Sequence, residues 1–237
     1  MKAIKIEYRF KMESEDIDLF QIVLDPNSLQ TTNIAPDPAP EWTALDFFQC
    51  PNCPLDAAES PRCPAALNMV PLVRRFDRLL SYDETMVIVV AEERYVYNKT
   101  TVQRGVCSLM GLLMATSGCP LTAFFKPMAR FHLPFASTEE TIWRATSSYL
   151  LAQYFRCQAN RVADTTFHGL SDLYDKIQIV NMAFAKRLRS TCKHDSMVNA
   201  IILLDMFAKS MPTAIEDSLD EIRYLFEPYL SHSQKQS

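Results

Sequence analysis

Glycine is scarce in this chain. Only four glycines occur among the 237 residues, Gly105, Gly111, Gly118 and Gly169. They form neither a dinucleotide-binding motif nor a P-loop, both of which need a glycine-rich turn whose backbone amides cradle phosphate groups. A Gly-x-Ser-x-Gly sequence is also absent. The sequence therefore argues against the common nucleotide-dependent enzymes and against serine hydrolases of that type.

Basic residues are not in excess either. The chain has 24 Lys and Arg against 28 Asp and Glu, which gives a formal net charge of −4. The densest basic group, Arg74, Arg75 and Arg78, has the helical spacing typical of a solvated face. Because binding to nucleic acids depends on cations placed against phosphates, we expect no nucleic-acid partner.

Long apolar runs are missing as well. No stretch of 18 uncharged apolar residues occurs, so the sequence predicts no membrane span. Residues 1–9 alternate charged and apolar side chains where an export signal would need an unbroken apolar segment. The seven cysteines are an odd number, which favours a reducing compartment over a disulfide framework. We therefore expect a cytoplasmic protein.

The chain does contain an unusual set of Cys-Pro dipeptides, at Cys50, Cys53, Cys63 and Cys119. A Cys-x2-Cys pair brings two sulfurs together at one turn, and further thiolates can complete a zinc site or hold an iron–sulfur cluster. In such a turn the backbone N–H groups, here those of Asn52 and Cys53, point at the first sulfur. We predict a metal site formed by the four cysteines, with zinc as the metal and an iron–sulfur cluster as the alternative.

Other roles for these cysteines stay open. The three within residues 50–63 could form a structural or redox disulfide, or have no joint role. A Cys-Pro dipeptide can also offer its thiolate to haem iron. The fourth ligand is open between Cys119 and His132. We expect the remaining cysteines, Cys107, Cys157 and Cys192, to be ordinary core residues.

Hydrophobic periodicity predicts a small antiparallel sheet in the N-terminal part. Residues 4–12 alternate apolar and polar side chains, and residues 17–24 follow as the returning strand of a hairpin. Residues 42–48 are predicted to form a third strand that leads to Cys50. Residues 85–97 are rich in β-branched and aromatic side chains, which favours one long strand or two short ones.

At Pro64 the apolar period changes to that of a helix, with proline near its start. Cys63 would then lie at the amino end of this helix, where the macrodipole favours a thiolate. Further helices are expected after Thr101, after a capping box at residues 137–140, and over residues 171–189, 195–209 and 214–229, with Pro212 at the last boundary.

These patterns predict an α+β protein: a small antiparallel sheet with a cysteine-rich metal-binding loop, followed by a mainly helical C-terminal part. The predicted division is residues 1–100, which hold the cysteine site, and residues 101–237, which are helical. The two parts can also form one continuous domain.

Residues 124–135 are dense in aromatic side chains and broken by proline, which is typical of a segment that packs over or lines something. We predict that this segment is a ligand or partner surface, with Lys126, Arg130 and His132 as its binding residues. Cations beside a tetrathiolate zinc site, whose formal charge is −2, would also stabilise it. The alternative is that Lys126 and Arg130 are plain surface charges.

The sequences FQCPNCPL, CPAAL, SGCP and KPMARFHLPF, which span residues 48–135, together resemble a bacterial family of uncharacterised domains with Cys-Pro motifs. The resemblance implies a cysteine-rich intracellular module of unknown function and assigns no catalytic residue. We therefore expect a regulatory or binding protein with a structural zinc and an unknown protein or small-molecule partner. The alternatives are an iron–sulfur redox protein or sensor, and a metal-dependent hydrolase or transferase that uses His132.

Overall fold

A four-stranded antiparallel sheet is followed by layers of helices in the computed structural model, which describes residues 2–12, 17–33, 38–220 and 222–231. The strands are β1 (Ile4–Met12), β2 (Ile17–Leu24), β3 (Glu84–Ala91) and β4 (Arg94–Thr101). Within these ranges the α-helices are α1 (Pro64–Phe76), α2 (Val102–Ala115), α3 (Lys126–Arg130), α4 (Thr138–Gln158), α5 (His168–Arg189), α6 (Ser196–Ser218) and α7 (Glu227–Ser231). The predicted α+β class and the mainly helical C-terminal part are confirmed.

The strand order in the sheet is β2-β1-β3-β4, with every neighbouring pair antiparallel. Strands β1 and β2 form the predicted hairpin, and the predicted strand over residues 85–97 resolves into β3 and β4. The alternation of β1 buries one face of the sheet, where Tyr8 and Phe10 are fully covered. This face lies against α1 and α2, because the apolar side chains of both helices point at it.

The predicted third strand over residues 42–48 is wrong. Its first residues form a 3-10 turn, Glu41–Thr43, and only an isolated bridge joins Ala44 to Arg62. The guanidinium of Arg187 donates to the backbone carbonyls of Trp42, Ala44 and Leu45, so these carbonyls are not available to pair with a neighbouring strand. Hydrogen bonds from a side chain that is distant in sequence therefore outweigh the local preference for a strand.

One main core joins the sheet to the helices. It contains buried side chains of β1, β2 and β3 together with those of α1, α2, α5 and α6. Helix α1 begins at Pro64 with Cys63 as its N-cap residue, as predicted. The core draws residues from both sides of position 100, and the division into two parts at that position stays a prediction.

In the C-terminal part, helix α6 packs against α5, α2 and α4. Helix α4 begins with the predicted capping box, in which Ser137 and Glu140 exchange hydrogen bonds. The predicted boundary at Pro212 is wrong, because α6 continues through this proline. Met211 and Ile215, one helical turn apart, are both buried in a second apolar cluster with α4 and α5, and this packing offsets the cost of an interior proline.

Helix α6 is also the part of the chain that most resembles a membrane span. The stretch of residues 196–215 is long and apolar enough to cross a bilayer, judged by length and composition alone. The search for uncharged apolar runs in the sequence did not predict it. The helix packs against α5 on one side and α2 on another, and such contacts require an apolar surface on several faces. The described residues hold no second helix of this length and composition, and so no clear membrane span.

Gly105 of α2 lies where the helix touches the sheet most closely. A Cβ atom at this position would stand 2.6 Å from Cε1 of Phe10 and 2.9 Å from Cγ2 of Val87, and both of these side chains are fully buried. We expect Gly105→Ala to lower the free energy of unfolding by about 1–2 kcal/mol, because overpacking outweighs the better helix propensity of alanine. Urea unfolding measures the change.

Gly111, on the same helix, provides the matched control. An added Cβ there would meet only Cδ2 of Leu204, at an ordinary 3.5 Å. We expect Gly111→Ala to raise the free energy of unfolding by about 0.5–1 kcal/mol through helix propensity alone. Equal effects at the two positions would contradict the close contact between α2 and the sheet.

Candidate functional site

The four predicted ligand cysteines come from three places in the fold. Cys50 and Cys53 flank one turn, in which the N–H of Cys53 donates to the carbonyl of Cys50 at 2.9 Å, so this donor is used by an oxygen and not by the first sulfur. Cys63 precedes α1, and its N–H donates to Thr43 at 2.8 Å. Cys119 follows the end of α2 and is buried.

These thiols lie within electrostatic reach of one another. The pKa of Cys50 is raised to about 12, mainly by burial and then by Cys63, Cys53 and Cys119, in that order. All the cysteines are free thiols. Among the described residues no group of three or more His, Cys, Asp or Glu side chains is arranged to hold a metal ion. The described residues therefore show no closed group of ligands, and the metal site formed by the four cysteines stays a prediction.

The position of Cys63 at the start of α1 has a smaller effect than the sequence suggests. Burial raises the pKa of this thiol, while the backbone N–H groups of Ala66 and Ala65 and the charge of Arg187 act in the opposite direction. Burial is the larger effect, so the free thiol is neutral at ordinary pH. The prediction that the helix start ionises Cys63 is wrong for the thiol alone, and a bound metal would have to displace its proton.

Arg187 is the cation that faces the cysteines. Its side chain is only 2% exposed and donates to the carbonyls of Trp42, Ala44 and Leu45. Burial lowers the pKa of Arg187, while Cys63, Cys50, Asp46 and Cys53, in that order, favour its charged form. In the described part of the chain no carboxylate lies within ion-pair distance of it.

Sequence reasoning missed Arg187, although the sequence carried a signal. The residue belongs to the basic run at the end of α5, which resembles an ordinary solvated last turn. Its position is nevertheless three residues after Phe184 and seven after Val180, both of which are buried. An arginine on the apolar stripe of an amphipathic helix needs buried acceptors, and this spacing could have identified it.

Lys126 and Arg130, the cations that the sequence pointed to, lie on the short helix α3. Arg130 is exposed, and its guanidinium lies 5.3 Å from the ring centre of Phe131. Lys126 is half-buried. Neither is recorded in an ion pair among the described residues, and their role in ligand binding stays a prediction.

His132 is tied to the sheet. Its Nε2 is hydrogen-bonded to the hydroxyl of Tyr8, which also bonds Ser108 at 2.9 Å. Burial, with a smaller effect of Arg144, lowers the pKa of His132 to about 3. A neutral imidazole of this kind is a weak proton acceptor near neutral pH, so the hydrolase hypothesis gains no support from it.

A cavity of about 550 Å³, within the range of small-molecule sites, lies beside His132. Helices α2, α4, α5 and α6 form most of its lining. The predicted surface segment supplies the rest, through Phe125, Met128, Ala129, His132, Leu133 and Phe135. Most lining side chains are apolar, the charged ones are Arg104 and Arg144, and none of those described is Asp or Glu.

Comparison with known proteins identifies the family of this chain without indicating an activity. No curated protein and no solved structure matches it. One family model, described as a domain of unknown function, matches residues 6–227 and so covers nearly the whole sequence. The chain therefore belongs to the family of domains of unknown function DUF6901.

Proposed function

We propose that this protein is a zinc-stapled binding or regulatory module of the cytoplasm. In this proposal Cys50, Cys53, Cys63 and Cys119 form a cysteine-rich site that holds one structural zinc ion. Four thiolates would fill the tetrahedral coordination of zinc and leave no open position, so the site would support the fold and perform no catalysis.

The observation that carries the proposal is the buried guanidinium of Arg187, which forms no ion pair with a carboxylate of the described chain. A buried guanidinium is costly unless a negative group compensates it. Cys63, Cys50 and the carboxylate of Asp46 are the groups whose negative forms favour its charge most, but burial raises the pKa of Cys63 and Cys50, so these two thiols are neutral without a metal and cannot compensate it. A zinc ion bound by four thiolates has a net charge of −2 and would supply the missing counter-charge beside Arg187.

The proposed staple would join three segments of the fold. The turn at residues 50–53 belongs to the connection between β2 and α1, in which residues 44–63 form an isolated bridge and turns but no helix or strand. Cys63 marks the start of α1, and Cys119 the end of α2. A metal ion between them would fix this connection on the helical layer, next to the loop that Arg187 already binds.

Metal analysis tests the proposal directly. Untagged protein, purified without added chelator, is expected to contain one zinc per chain and to be colourless. Cys63→Ser is expected to remove most of this zinc, because three remaining ligands bind the ion less tightly. Cys157→Ser is the matched control and is expected to keep the full zinc content. The prediction that Cys157 is a core residue is wrong, because this cysteine is exposed on α4.

Two results would overturn the proposal. A protein without metal, even after zinc is supplied during expression, would leave the cysteines without a joint role. Iron together with absorbance near about 400 nm would indicate an iron–sulfur cluster and a redox function on the same residues. Loss of zinc in His132→Gln but not in Cys119→Ser would replace Cys119 by His132 as the fourth ligand.

A further inference from the structure

The cavity beside His132 contains polar groups that the fold does not use. Asn181 is 3% exposed and Tyr174 is 5% exposed, and both side chains line the cavity. Neither the amide of Asn181 nor the hydroxyl of Tyr174 makes a hydrogen bond to another described residue. Polar groups of buried side chains are almost always hydrogen-bonded, so two that instead open onto one cavity are places where a ligand would supply the missing partner.

The two groups share one face of α5. Tyr174, Ile177 and Asn181 follow one another at spacings of three and four residues, which places them on one face of the helix. All three line the cavity, so the face offers two polar groups separated by an apolar side chain. The arrangement suits a ligand that has a polar end and an apolar body.

The charges around the cavity favour an anion. Arg144 donates to the carbonyls of Met128, Phe131 and Leu133, but in the described chain no carboxylate lies within ion-pair distance of it. Its charge influences Tyr174, which places the guanidinium near the unpaired hydroxyl. Arg104, an exposed member of the lining, adds a second positive charge. A cavity with two cations and no acidic lining residue attracts a negative ligand.

We propose that this cavity binds an amphipathic monocarboxylate, an acid of the fatty-acid type. Its carboxylate would accept a hydrogen bond from the Tyr174 hydroxyl beside Arg144, whereas Asn181 lies two helical turns further along α5. Its hydrocarbon body would lie along the apolar walls, where Leu204 and Phe207 of α6 face the segment 124–135. The site is separate from the proposed metal site, because none of Cys50, Cys53, Cys63 and Cys119 lines the cavity.

Calorimetric titration of the full-length protein with octanoate tests this inference. Octan-1-ol serves as the neutral counterpart and octyltrimethylammonium as the cationic one, all below the concentrations at which they form micelles. We expect one octanoate to bind per chain, about tenfold to a hundredfold more tightly than octan-1-ol, since one or two charge-assisted hydrogen bonds distinguish them. Octyltrimethylammonium is expected not to bind measurably.

Variants locate the carboxylate. Tyr174→Phe removes only the hydroxyl and is expected to reduce the preference for octanoate over octan-1-ol by about tenfold. Tyr154→Phe, at an exposed tyrosine of α4, is the matched control and is expected to keep that preference.

The inference is wrong if octanoate fails to bind at millimolar concentration, or if it binds no better than octan-1-ol. It is also wrong if the preference survives in Tyr174→Phe. Should this variant fail to fold, the ligand comparison on the natural protein decides the question by itself. Zinc content is measured on the same samples, so a loss of metal and a loss of octanoate binding are recorded separately.

Discussion

Replacing Arg187 with methionine is expected to lower the free energy of unfolding by about 3–5 kcal/mol, the largest effect that the structure predicts for a single side chain. The substitution leaves the carbonyls of Trp42, Ala44 and Leu45 without their donor. These carbonyls belong to a segment without a strand partner, so the backbone cannot take over the lost bonds. Urea or guanidinium unfolding, followed by circular dichroism, measures the change.

Arg187→Lys separates charge from shape. Lysine keeps the positive charge near the cysteines but cannot reproduce the planar fork that reaches three carbonyls, so we expect it to recover less than half of the loss. Arg189→Met, two residues further on the exposed face of α5, is the control and is expected to change the stability by less than about 0.5 kcal/mol. A similar effect at both arginines would mean that Arg187 does not clamp the loop.

Mild acid is expected to destabilise the protein through His132. Its pKa is about 3 in the folded chain, against an ordinary value of 6.5, so the unfolded chain takes up a proton first as the pH falls. The stability contributed by the neutral ring is complete above pH 6.5 and is lost progressively towards pH 3. If the whole shift of the pKa acts on stability, the free energy of unfolding falls by about 2 kcal/mol between pH 7 and pH 5. Because the ring is partly open to the cavity, we expect a loss of about 1–2 kcal/mol.

His132→Gln isolates this contribution. Glutamine does not titrate, and it can still accept the hydrogen bond of Tyr8. Comparing the pH dependence of unfolding in the two proteins removes the part that comes from all other groups. We expect the variant to lose about 1–2 kcal/mol less than the natural protein between pH 7 and pH 5. Parallel curves would show that His132 is accessible to protons in the folded state.

Much of the N-terminal fold could be predicted because its signals are local. The alternation of β1 and β2 and the proline at the start of α1 each specify an element within a few residues. The extent of α6 could not be read in this way. Proline favours a helix boundary by itself, and only the burial of Met211 and Ile215 in tertiary contacts carries the helix past it.

The candidate sites also combine features that local sequence indicates with features that only the tertiary structure reveals. The Cys-Pro spacing pointed to four thiols as one site, which stays a prediction, but it could not show that burial raises the pKa of Cys50 or that Arg187 lies near these cysteines. Those facts depend on a helix more than a hundred residues after Cys63. The sequence also could not predict that Tyr174 and Asn181 lack hydrogen-bond partners, because this depends on the positions of all neighbouring residues in the fold.

The strand order has a consequence for the course of folding. Hairpins β1–β2 and β3–β4 form from neighbouring residues, whereas the central pairing of β1 with β3 joins Glu7 to Val90 and Met12 to Thr85. The chain between β1 and β3 must close into a long loop, which lowers its entropy before the contacts between these strands form. This cost slows the folding of a sheet with this topology. Cys50, Cys53 and Cys63 all lie inside this loop. A cross-link among them would shorten the loop in the unfolded chain and bring the two hairpins closer together before they meet.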